Sequence, residues 1–326
     1  MREDGCVRSI EPLVVAIDLG GSGSRLAAAR VSDGEVVVRL DGPPRAASAS
    51  VSDDGIADGL TDLADDLAER FSERLPEITA VAAGVAGLAS LVDDPAWVRE
   101  RLQQAFGAQH ALVASDMLTA HVGALHGRAG AVLAAGTGAV ALGTDLRDAW
   151  RRVDGWGHLL GDLGSGAWIG MEGLRAAARQ LDGRAAAGPL SAAARARFGE
   201  LTDWPAQVYP RPDRGRVLAS FAPDVAASAE AGDPEAADLL RRAAEHLADT
   251  LAAAIGDEIP PRAALTGGLF GMPPALLRDP LLRRLRSVHP QLEVVDAPGT
   301  PLDGALLLAR RMAAGEPVPR RAPYVA

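Results

Sequence analysis

One arrangement of strands and turns occurs twice in this chain, over residues 13–40 and again over residues 131–153. The first segment, LVVAIDLGGSGSRLAAARVSDGEVVVRL, has the pattern of strand, glycine-rich turn, strand, polar turn and strand. The second, AVLAAGTGAVALGTDLRDAWRRV, has the same order around Gly136-Thr137-Gly138. Glycines in such turns permit positive φ and let backbone N–H groups approach a ligand closely. The duplication predicts two turns that face each other across a cleft and hold an anion, with a polyphosphate as the obvious choice.

The order of elements around the first copy predicts an α/β fold. Apolar residues from Ile56 to Leu75 recur at helical spacing, TAVAAGVAGL has the pattern of a strand, residues 95–106 that of a helix, and HALVAS that of a further strand. The resulting order, βββαβαβα, is typical of a mixed sheet with helices on its faces.

The length of the chain predicts two domains. We place the first at residues 1–115 and the second, with a helical insert, at residues 116–313. We expect the closing helix near 301–313 to pack back on the first domain, and the tail, residues 314–326, to be loose.

The composition is that of an ordinary globular protein. A net charge of −10 and a pI near 5.1 argue against binding to nucleic acid or to an anionic membrane. No apolar run approaches the roughly 18 residues of a membrane span, and the N-terminal segment has no signal-peptide pattern. With a single cysteine, Cys6, the chain forms no internal disulfide and no cysteine-built cluster. We therefore expect a cytoplasmic location.

All 33 basic residues are arginine, because the chain contains no lysine. This excludes the P-loop of the GxxxxGK[ST] type, the catalytic lysine of protein kinases and a pyridoxal Schiff base. If the protein binds ATP, then glycine-rich turns, hydroxyl groups, arginine and a metal ion must bind the phosphates.

The first glycine-rich turn follows a buried strand that contains Asp18. It provides five candidate ATP-binding residues, Gly20, Gly21, Ser22, Ser24 and Arg25. A plain hairpin turn is the alternative, although this one is richer in glycine and serine than a hairpin requires. A carboxylate on a buried strand is costly unless it is paired or near a cation. Asp18 is therefore the candidate Mg²⁺ residue, acting through water.

Two further glycine motifs are candidates for nucleotide binding. Gly136, Thr137 and Gly138 offer a hydroxyl and an amide to the β- and γ-phosphates. Gly267 and Gly268 lie between a strand and a helix start, where a helix N-terminus can receive a nucleotide. The alternative for the second pair is close packing of helix against strand.

Asp116 is the candidate catalytic base, because it ends a strand just before the second copy of the repeat. An aspartate before an apolar helix is also an ordinary N-cap, so both interpretations stay open. Asp162 lies within GWGHLLGDLGSG, where glycines on both sides suggest a loop shaped around a ligand, and Trp156 could supply an apolar platform.

The motifs together resemble a known family. IDLGGSGSR, the SD at 115–116, AAGTG, GWGHLLGDLGSGAWIG and LTGGLF occur in the order found in N-acetylglucosamine kinases of the BadF/BadG/BcrA/BcrD ATPase group, within the actin–hexokinase–Hsp70 superfamily. The similarity spans roughly residues 13–310 and includes SFAPDVAASAEAGDPEA. It implies two ribonuclease-H-like domains around an ATP and sugar cleft, and a homodimer.

The resemblance also implies roles for individual residues. Asp116 matches the catalytic aspartate of the family. It also matches a sugar-binding residue, as do Gly87, Gly155, Trp156 and Asp162. The glycine motifs match two phosphate motifs and an adenosine motif. The chain departs from its relatives in reading GDLGS where many have GDEGS, and in having Ala86 where a sugar-contacting serine is often found.

Three functions follow from these motifs. The leading one is an ATP- and Mg²⁺-dependent kinase that phosphorylates an amino sugar, N-acetylglucosamine or glucosamine, at O6. The first alternative is a non-catalytic regulator that responds to sugar or nucleotide. The second is an activator ATPase with an iron–sulfur cluster, which a single cysteine disfavours.

Overall fold

The computed structural model describes residues 11–20, 23–41, 53–71, 76–88, 92 and 94–326. The chain divides into two compact units. The first unit consists of Met1–His126 and Gly299–Ala326, and the second consists of Gly127–Pro298. No helix of the described residues has both the length and the apolar character that a bilayer span needs.

The first unit is built on a five-stranded mixed sheet in the order β3-β2-β1-β4-β5. Its strands are β1 (Leu13–Gly20), β2 (Gly23–Arg30), β3 (Val36–Asp41), β4 (Ile78–Val85) and β5 (His110–Ser115). β1 pairs antiparallel with β2 and parallel with β4, and β4 pairs parallel with β5. The central strands are buried on both faces, as their nearly continuous apolar sequences predict.

The second unit repeats this topology. Its strands are β6 (Gly130–Ala135), β7 (Ala139–Thr144), β8 (Trp150–Asp154), β9 (Arg262–Thr266) and β10 (Glu293–Val295), and they form the order β10-β9-β6-β7-β8. β6 and β7 form an antiparallel hairpin, whereas β9 pairs parallel with β6 and β10 parallel with β9. The predicted duplication of three hairpin-linked strands is therefore confirmed.

Four helices cover the described part of the first sheet. They are α1 (Asp53–Arg70), α2 (Pro95–Phe106), α3 (Asp116–Ala124) and, after the second unit, α11 (Pro301–Ala313). The predicted apolar stripe of α1 is buried at Leu60, Leu63 and Leu67. α2 begins at Pro95, as predicted, with the Asp94 carboxylate accepting hydrogen bonds from two amides of its first turn.

Seven helices belong to the second unit. They are α4 (Gly166–Leu181), α5 (Pro189–Phe198), α6 (Trp204–Val208), α7 (Arg214–Ala219), α8 (Ala222–Glu230), α9 (Pro234–Ile255) and α10 (Arg278–Val288). A short 3₁₀ helix, Gly268–Gly271, follows β9. α4 begins after Ser165, whose hydroxyl caps it by accepting from the Trp168 amide.

The boundary expected between residues 115 and 116 is wrong, because α3 belongs to the first unit. Close packing explains this assignment. A Cβ atom on Gly84 of β4 would lie 2.4 Å from the Thr119 hydroxyl of α3, and one on Gly123 of α3 would lie 2.1 Å from the Thr300 carbonyl oxygen. α11 also packs on β1 and β4. The second unit therefore spans residues 127–298 rather than 116–313.

The tail, residues 314–326, is also more ordered than expected. Its last residues pair with the exposed edge of β5, where Ala114 and Val325 form an antiparallel bridge. The Val113 amide donates to the Ala326 carbonyl at 3.2 Å, and the Ser115 amide donates to the Tyr324 carbonyl at 2.9 Å. The backbone groups of the edge strand are thereby satisfied by the chain itself.

Candidate functional site

The first unit gathers its candidate residues at the carboxyl ends of three parallel strands. The register places Asp18 of β1 beside Gly84 of β4, and Gly84 beside Ala114 of β5. Asp116 follows directly after β5. Since neighbouring strands lie about 4.8 Å apart, Asp18 and the end of β5 are separated by two strand spacings, roughly 10 Å. Both carboxylates therefore belong to one edge of the sheet, where ligands bind in open α/β folds.

Asp18 is a buried carboxylate with one cationic neighbour. Its side chain is 9% exposed, and Arg25 of β2 lies 3.3 Å from its Oδ2 atom. Burial raises the pKa of Asp18 above its ordinary value, and the charge and hydrogen bond of Arg25 offset this only in part. The guanidinium of Arg25 is half exposed and also lies 3.6 Å from Asp41. The charged form of Asp18 is thus stabilised less than it would be in water, and a second cation would correct this.

Asp116 does not cap helix α3. The cap is Ser115, whose hydroxyl accepts a hydrogen bond from the Leu118 amide at 3.3 Å. Asp116 is the first residue of the helix, and its Oδ1 atom accepts from the Met117 amide at 2.8 Å. The side chain is half-buried. Since the neighbouring serine already supplies the cap, the N-cap interpretation of Asp116 is wrong, and its carboxylate remains suited to contact a ligand.

Three other predicted residues of the first unit are described. Gly20 ends β1 opposite Gly23, Ser24 is buried opposite Leu19, and Gly87 follows β4 with φ of 72°. Gly21 and Ser22 lie outside the described residues. Whether any of these residues contacts phosphate or sugar stays a prediction.

In the second unit, three separate glycine segments meet at the β6–β7 turn. The turn is closed by the Gly136 amide, which donates to the Gly138 carbonyl at 2.8 Å. The amides of Gly166 and Ala167, at the start of α4, donate to the carbonyls of Gly136 and Thr137.

Gly166 and Gly267 lie so close to the backbone at this turn that a side chain would not fit at either position. A Cβ atom on Gly166 would lie 2.8 Å from the Gly136 carbonyl oxygen. One on Gly267 would lie 2.2 Å from the Ala135 carbonyl oxygen, and Gly267 has φ of 106°. Gly267 thus packs closely on the end of β6, and its contact with a nucleotide stays a prediction. Gly136 and Gly268, by contrast, face open space, because an added Cβ on either would meet no atom within 4 Å.

These open glycines line a cavity of about 560 Å³ within the second unit. Thr137 and Gly166 lie on one wall, one face of α8 on another, and Leu269, Met272 and Pro273 on a third. The lining is mostly alanine, proline, leucine and methionine. A cavity of this size and character accommodates a small organic ligand with an apolar ring. Two of the three predicted nucleotide motifs thus line one pocket.

The loop between β8 and α4, residues 155–165, is held by two residues at the end of β8. The Asp154 carboxylate accepts hydrogen bonds from the amides of Gly155, Asp162 and Leu163 at 2.8, 2.7 and 3.0 Å. The Arg152 guanidinium donates to the carbonyls of Asp154 and Gly155, and lies 4.4 Å from the ring centre of Trp156.

This network fixes an exposed aromatic side chain. Trp156 is 60% exposed although Arg152 covers part of its ring. Gly155 and Gly157, on either side of it, have φ of 79° and 83°. The network therefore presents the indole of Trp156 to solvent in a defined orientation, as a surface on which a sugar ring could stack.

Asp162 lies under the β6–β7 turn. It is 8% exposed, and a Cβ atom on Gly138 would lie 2.6 Å from its Oδ2 atom. Its Oδ1 atom accepts from the Gly157 amide at 3.2 Å. Burial, followed by the negative charge of Asp154, raises the pKa of Asp162, whereas hydrogen bonds from Gly157 and Ala139 and the charge of Arg152 lower it. The structure thus connects Asp162 directly to the β6–β7 turn, which the sequence did not indicate.

The described residues include no group of three or more His, Cys, Asp or Glu side chains that could hold a metal ion by themselves. Mg²⁺ does not require such a group, because it is usually bound by one or two carboxylates together with substrate phosphates and water. Asp18 fits this role: it is an isolated carboxylate, it is buried, and its charge is only partly compensated.

Sequence pattern did not point to Arg152, to Asp154 or to a role for the residues of α8 that line the cavity. Asp154 carries a weak local signal, because an aspartate before glycine at a strand end often marks a turn with positive φ, and its φ is 62°. Arg152 carries none, although its partners Asp154, Gly155 and Trp156 lie close to it in sequence. The α8 residues lie in the segment SFAPDVAASAEAGDPEA that the resemblance includes, but their place on the cavity depends on elements distant in sequence.

Two curated proteins are similar to parts of this chain. An N-acetylmuramic acid/N-acetylglucosamine kinase from Clostridium acetobutylicum is 31% identical over 110 residues, which cover 34% of this chain and 36% of that protein. The chain thus matches only about a third of the length of this relative. An N-acetyl-D-glucosamine kinase from Dictyostelium discoideum is 27% identical over 227 residues, 65% of this chain and 68% of that protein.

A solved structure agrees over nearly the whole length. It is a candidate N-acetylglucosamine kinase from Chromobacterium violaceum, 30% identical, with a TM-score of 0.70 over 91% of this chain and 98% of that chain. This similarity confirms the expected α/β fold of two related, ribonuclease-H-like units. The model of the BadF/BadG/BcrA/BcrD ATPase family matches residues 15–309. The chain therefore belongs to the BadF/BadG/BcrA/BcrD ATPase family.

Proposed function

We propose that this protein is an ATP-dependent kinase that transfers the γ-phosphoryl group of ATP to a hydroxyl of an amino sugar. The observation that carries the proposal is the apolar cavity of the second unit, on which Gly136-Thr137 and Gly268 meet. The glycine pattern of the sequence independently predicts nucleotide binding for both segments. The cavity matches the size and apolar character of an adenosine site, and the names of the relatives support the reaction.

On the nucleotide side, the adenosine lies in the cavity and the phosphates lie at the β6–β7 turn. Backbone amides of this turn and the Thr137 hydroxyl bind phosphate oxygens there. From the sequence pattern we also assign phosphate binding to five residues of the first turn, Gly20, Gly21, Ser22, Ser24 and Arg25. Asp18 holds Mg²⁺ through water, and the ion when bound neutralises charge on the phosphates.

On the acceptor side, Asp116 is the general base. It accepts the proton of the attacking hydroxyl, which makes the oxygen a better nucleophile towards the γ-phosphorus. The sugar is positioned by Asp116 and by four further residues, Gly87, Gly155, Trp156 and Asp162. Most of the rate enhancement in phosphoryl transfer comes from such positioning and from charge stabilisation.

The proposed acceptor is N-acetylglucosamine or glucosamine, phosphorylated at O6. The exposed indole of Trp156 favours an acceptor with a pyranose ring, because the apolar face of such a ring stacks on aromatic side chains. The Clostridium relative is named for N-acetylmuramic acid as well, so a sugar with a carboxylate belongs in the same test.

A coupled ADP-release assay over a panel of amino sugars and plain hexoses tests the proposal. We expect sugar-dependent ADP release, highest with an N-acetylated or free amino sugar, and only weak hydrolysis without sugar. Mass spectrometry and NMR of the product identify the phosphorylated oxygen. Strong hydrolysis that no sugar stimulates would contradict the kinase proposal and favour an ATPase, and nucleotide binding without turnover would favour a regulator. The homodimer and the cytoplasmic location stay predictions.

A further inference from the structure

One charged side chain, Glu230, lies on the otherwise uncharged lining of the second-unit cavity. It is the last residue of α8, and it follows Ala222 and Ala226 at intervals of four residues, so the three side chains share one helix face. The first two are buried and Glu230 is exposed at the rim. This face of α8 therefore ends in a carboxylate beside the cavity.

The helix sets the distance between this carboxylate and the phosphate turn. Ala219, just before α8, packs against Gly166, whose added Cβ would lie 3.3 Å from the Ala219 Cβ. Gly166 in turn donates its amide to Gly136 in the turn. From Ala222 to Glu230 the helix rises by about 12 Å at 1.5 Å per residue. Glu230 thus lies at the end of the cavity far from the phosphates, where a bound nucleotide would place its base.

The position of Glu230 is unfavourable for the helix itself. The C-terminal turn of a helix carries a partial negative charge from its unpaired carbonyl groups, so a carboxylate there is destabilising. Four other helices of this unit, α4, α5, α7 and α10, carry arginine in their last turn, as this effect favours. No hydrogen bond or ion pair within the described part of the chain satisfies the Glu230 carboxylate.

Two nearby acidic residues, one on α8 and one on α9, are each paired with an arginine. Asp224 of α8 lies 2.6 Å from Arg197, and Glu235 of α9 lies 3.1 Å from Arg179. Glu230 is therefore an acid without a protein partner in the described residues, at a site where it destabilises its helix, on the rim of a ligand-sized cavity. A carboxylate accepts hydrogen bonds and donates none. Its partner in the ligand must therefore be a donor. A nucleoside offers its ribose hydroxyls and the amino group of its base, and we choose the base because Glu230 lies at the end of the cavity far from the β6–β7 turn.

We infer that Glu230 recognises an exocyclic amino group on the purine base of the bound nucleotide. The inference rests on the proposed function, because it assumes that the cavity takes a nucleoside. Two purines carry such a group, adenine at C6 and guanine at C2, and the analogues that lack it are purine riboside and inosine. Phosphate is excluded as the partner of Glu230, because two negative charges repel.

Calorimetric titration of the complete protein with nucleoside diphosphates tests the inference without requiring turnover. The two matched pairs are ADP with purine riboside 5′-diphosphate, and GDP with IDP. In one of these pairs we expect the amino compound to bind about tenfold more tightly, the size of a single hydrogen bond to a charged group. In Glu230→Ala that ratio should fall to nearly one, and in Glu230→Gln, which keeps an acceptor oxygen, part of it should remain.

Glu258→Ala is the matched control, because Glu258 is an exposed glutamate of the same unit that does not line the cavity. It should leave both ratios unchanged. Glu230→Ala should not lower the melting temperature, because it removes an unfavourable charge from a helix end, and this shows that the variant is folded.

An unchanged ratio in Glu230→Ala, or no preference in the wild type, would overturn the inference while leaving the kinase proposal intact. Discrimination that depends on Glu230, in a protein that phosphorylates no sugar, would support the inference and contradict the kinase activity. If none of the four diphosphates binds, both are wrong.

Discussion

The two units have the same sheet and place different chemistry on it. In each, three antiparallel strands joined by hairpins are followed by two parallel strands, in the orders β3-β2-β1-β4-β5 and β8-β7-β6-β9-β10. The first strand of the first unit carries Asp18, which is paired with Arg25. The first strand of the second unit, β6, has the sequence GAVLAA and carries no charge.

This difference indicates a division of labour between two copies of one framework. Around the β6–β7 turn, glycines let backbone groups approach one another, and backbone amides supply the polar contacts. At the carboxyl ends of β1, β4 and β5 lie two carboxylates instead, those of Asp18 and Asp116. We therefore interpret the second unit as the part that binds by shape and the first as the part that acts by charge.

The largest effect should come from Asp116 in the first unit. Asp116→Asn should lower kcat by about 10²- to 10⁴-fold, the range typical of a general base, with little change in the KM for sugar. Asp279→Asn is the matched control, because Asp279 also lies in the first turn of a helix, α10, but in the second unit. Steady-state ADP release measures both. A kcat close to wild type in Asp116→Asn would remove this residue from the proposed chemistry.

A smaller effect should follow from Asp18→Asn. If Asp18 holds Mg²⁺ through water, the substitution should lower kcat/KM by roughly 10- to 100-fold and raise the Mg²⁺ concentration needed for half-maximal activity. Titration of the rate with Mg²⁺ checks this. An unchanged Mg²⁺ requirement would separate Asp18 from the metal.

The same variant has a predicted signature in stability. Because burial raises the pKa of Asp18, the folded ligand-free protein binds this proton more tightly than the unfolded chain does. The contribution of Asp18 to stability is therefore present at low pH and is lost as the pH rises from the ordinary aspartate range through the raised pKa. Urea denaturation at several pH values should show this decline in wild type and a weaker one in Asp18→Asn.

The smallest effect concerns shape in the second unit. Gly138→Ala should lower the free energy of unfolding by about 1–3 kcal/mol, because the new methyl group would overlap the Asp162 carboxylate. Gly136→Ala, two residues away, should change it by less than about 0.5 kcal/mol, because its methyl group meets no atom. Urea denaturation of both variants measures the difference. Equal losses would show that this turn is not constrained by packing on Asp162.

Sequence reasoning reached the parts of the fold that short segments determine. Each copy of the repeat lies within about thirty residues, and the helix starts at Pro95 and Ser165 are set by capping groups next to them. Local pattern therefore predicts these elements with their order and type. The fold class follows from that order, because hairpin-linked strands and helices in alternation have few ways to pack.

The sequence did not reveal which unit α3 and the tail belong to, because contacts between distant segments decide both. α3 is held by α11, almost two hundred residues later, and the tail by the edge of β5. The candidate site shows the same limit. Asp18, Asp116 and the glycine turns were found from local pattern, whereas the place of Glu230 on the cavity wall depends on segments distant in sequence.

The return of the chain to its first unit has a consequence for biosynthesis. The first unit starts to emerge from the ribosome before the second. Two of its parts, α11 and the strand-like tail, are translated only after the whole second unit. The second unit is complete once Pro298 has emerged. The sheet of β1, β4 and β5 lacks its covering helix until translation has passed α11, and domains generally fold as whole units. We therefore expect the later-made half to reach its native state first, and a nascent chain arrested before residue 299 to hold a folded second unit and an incomplete first unit.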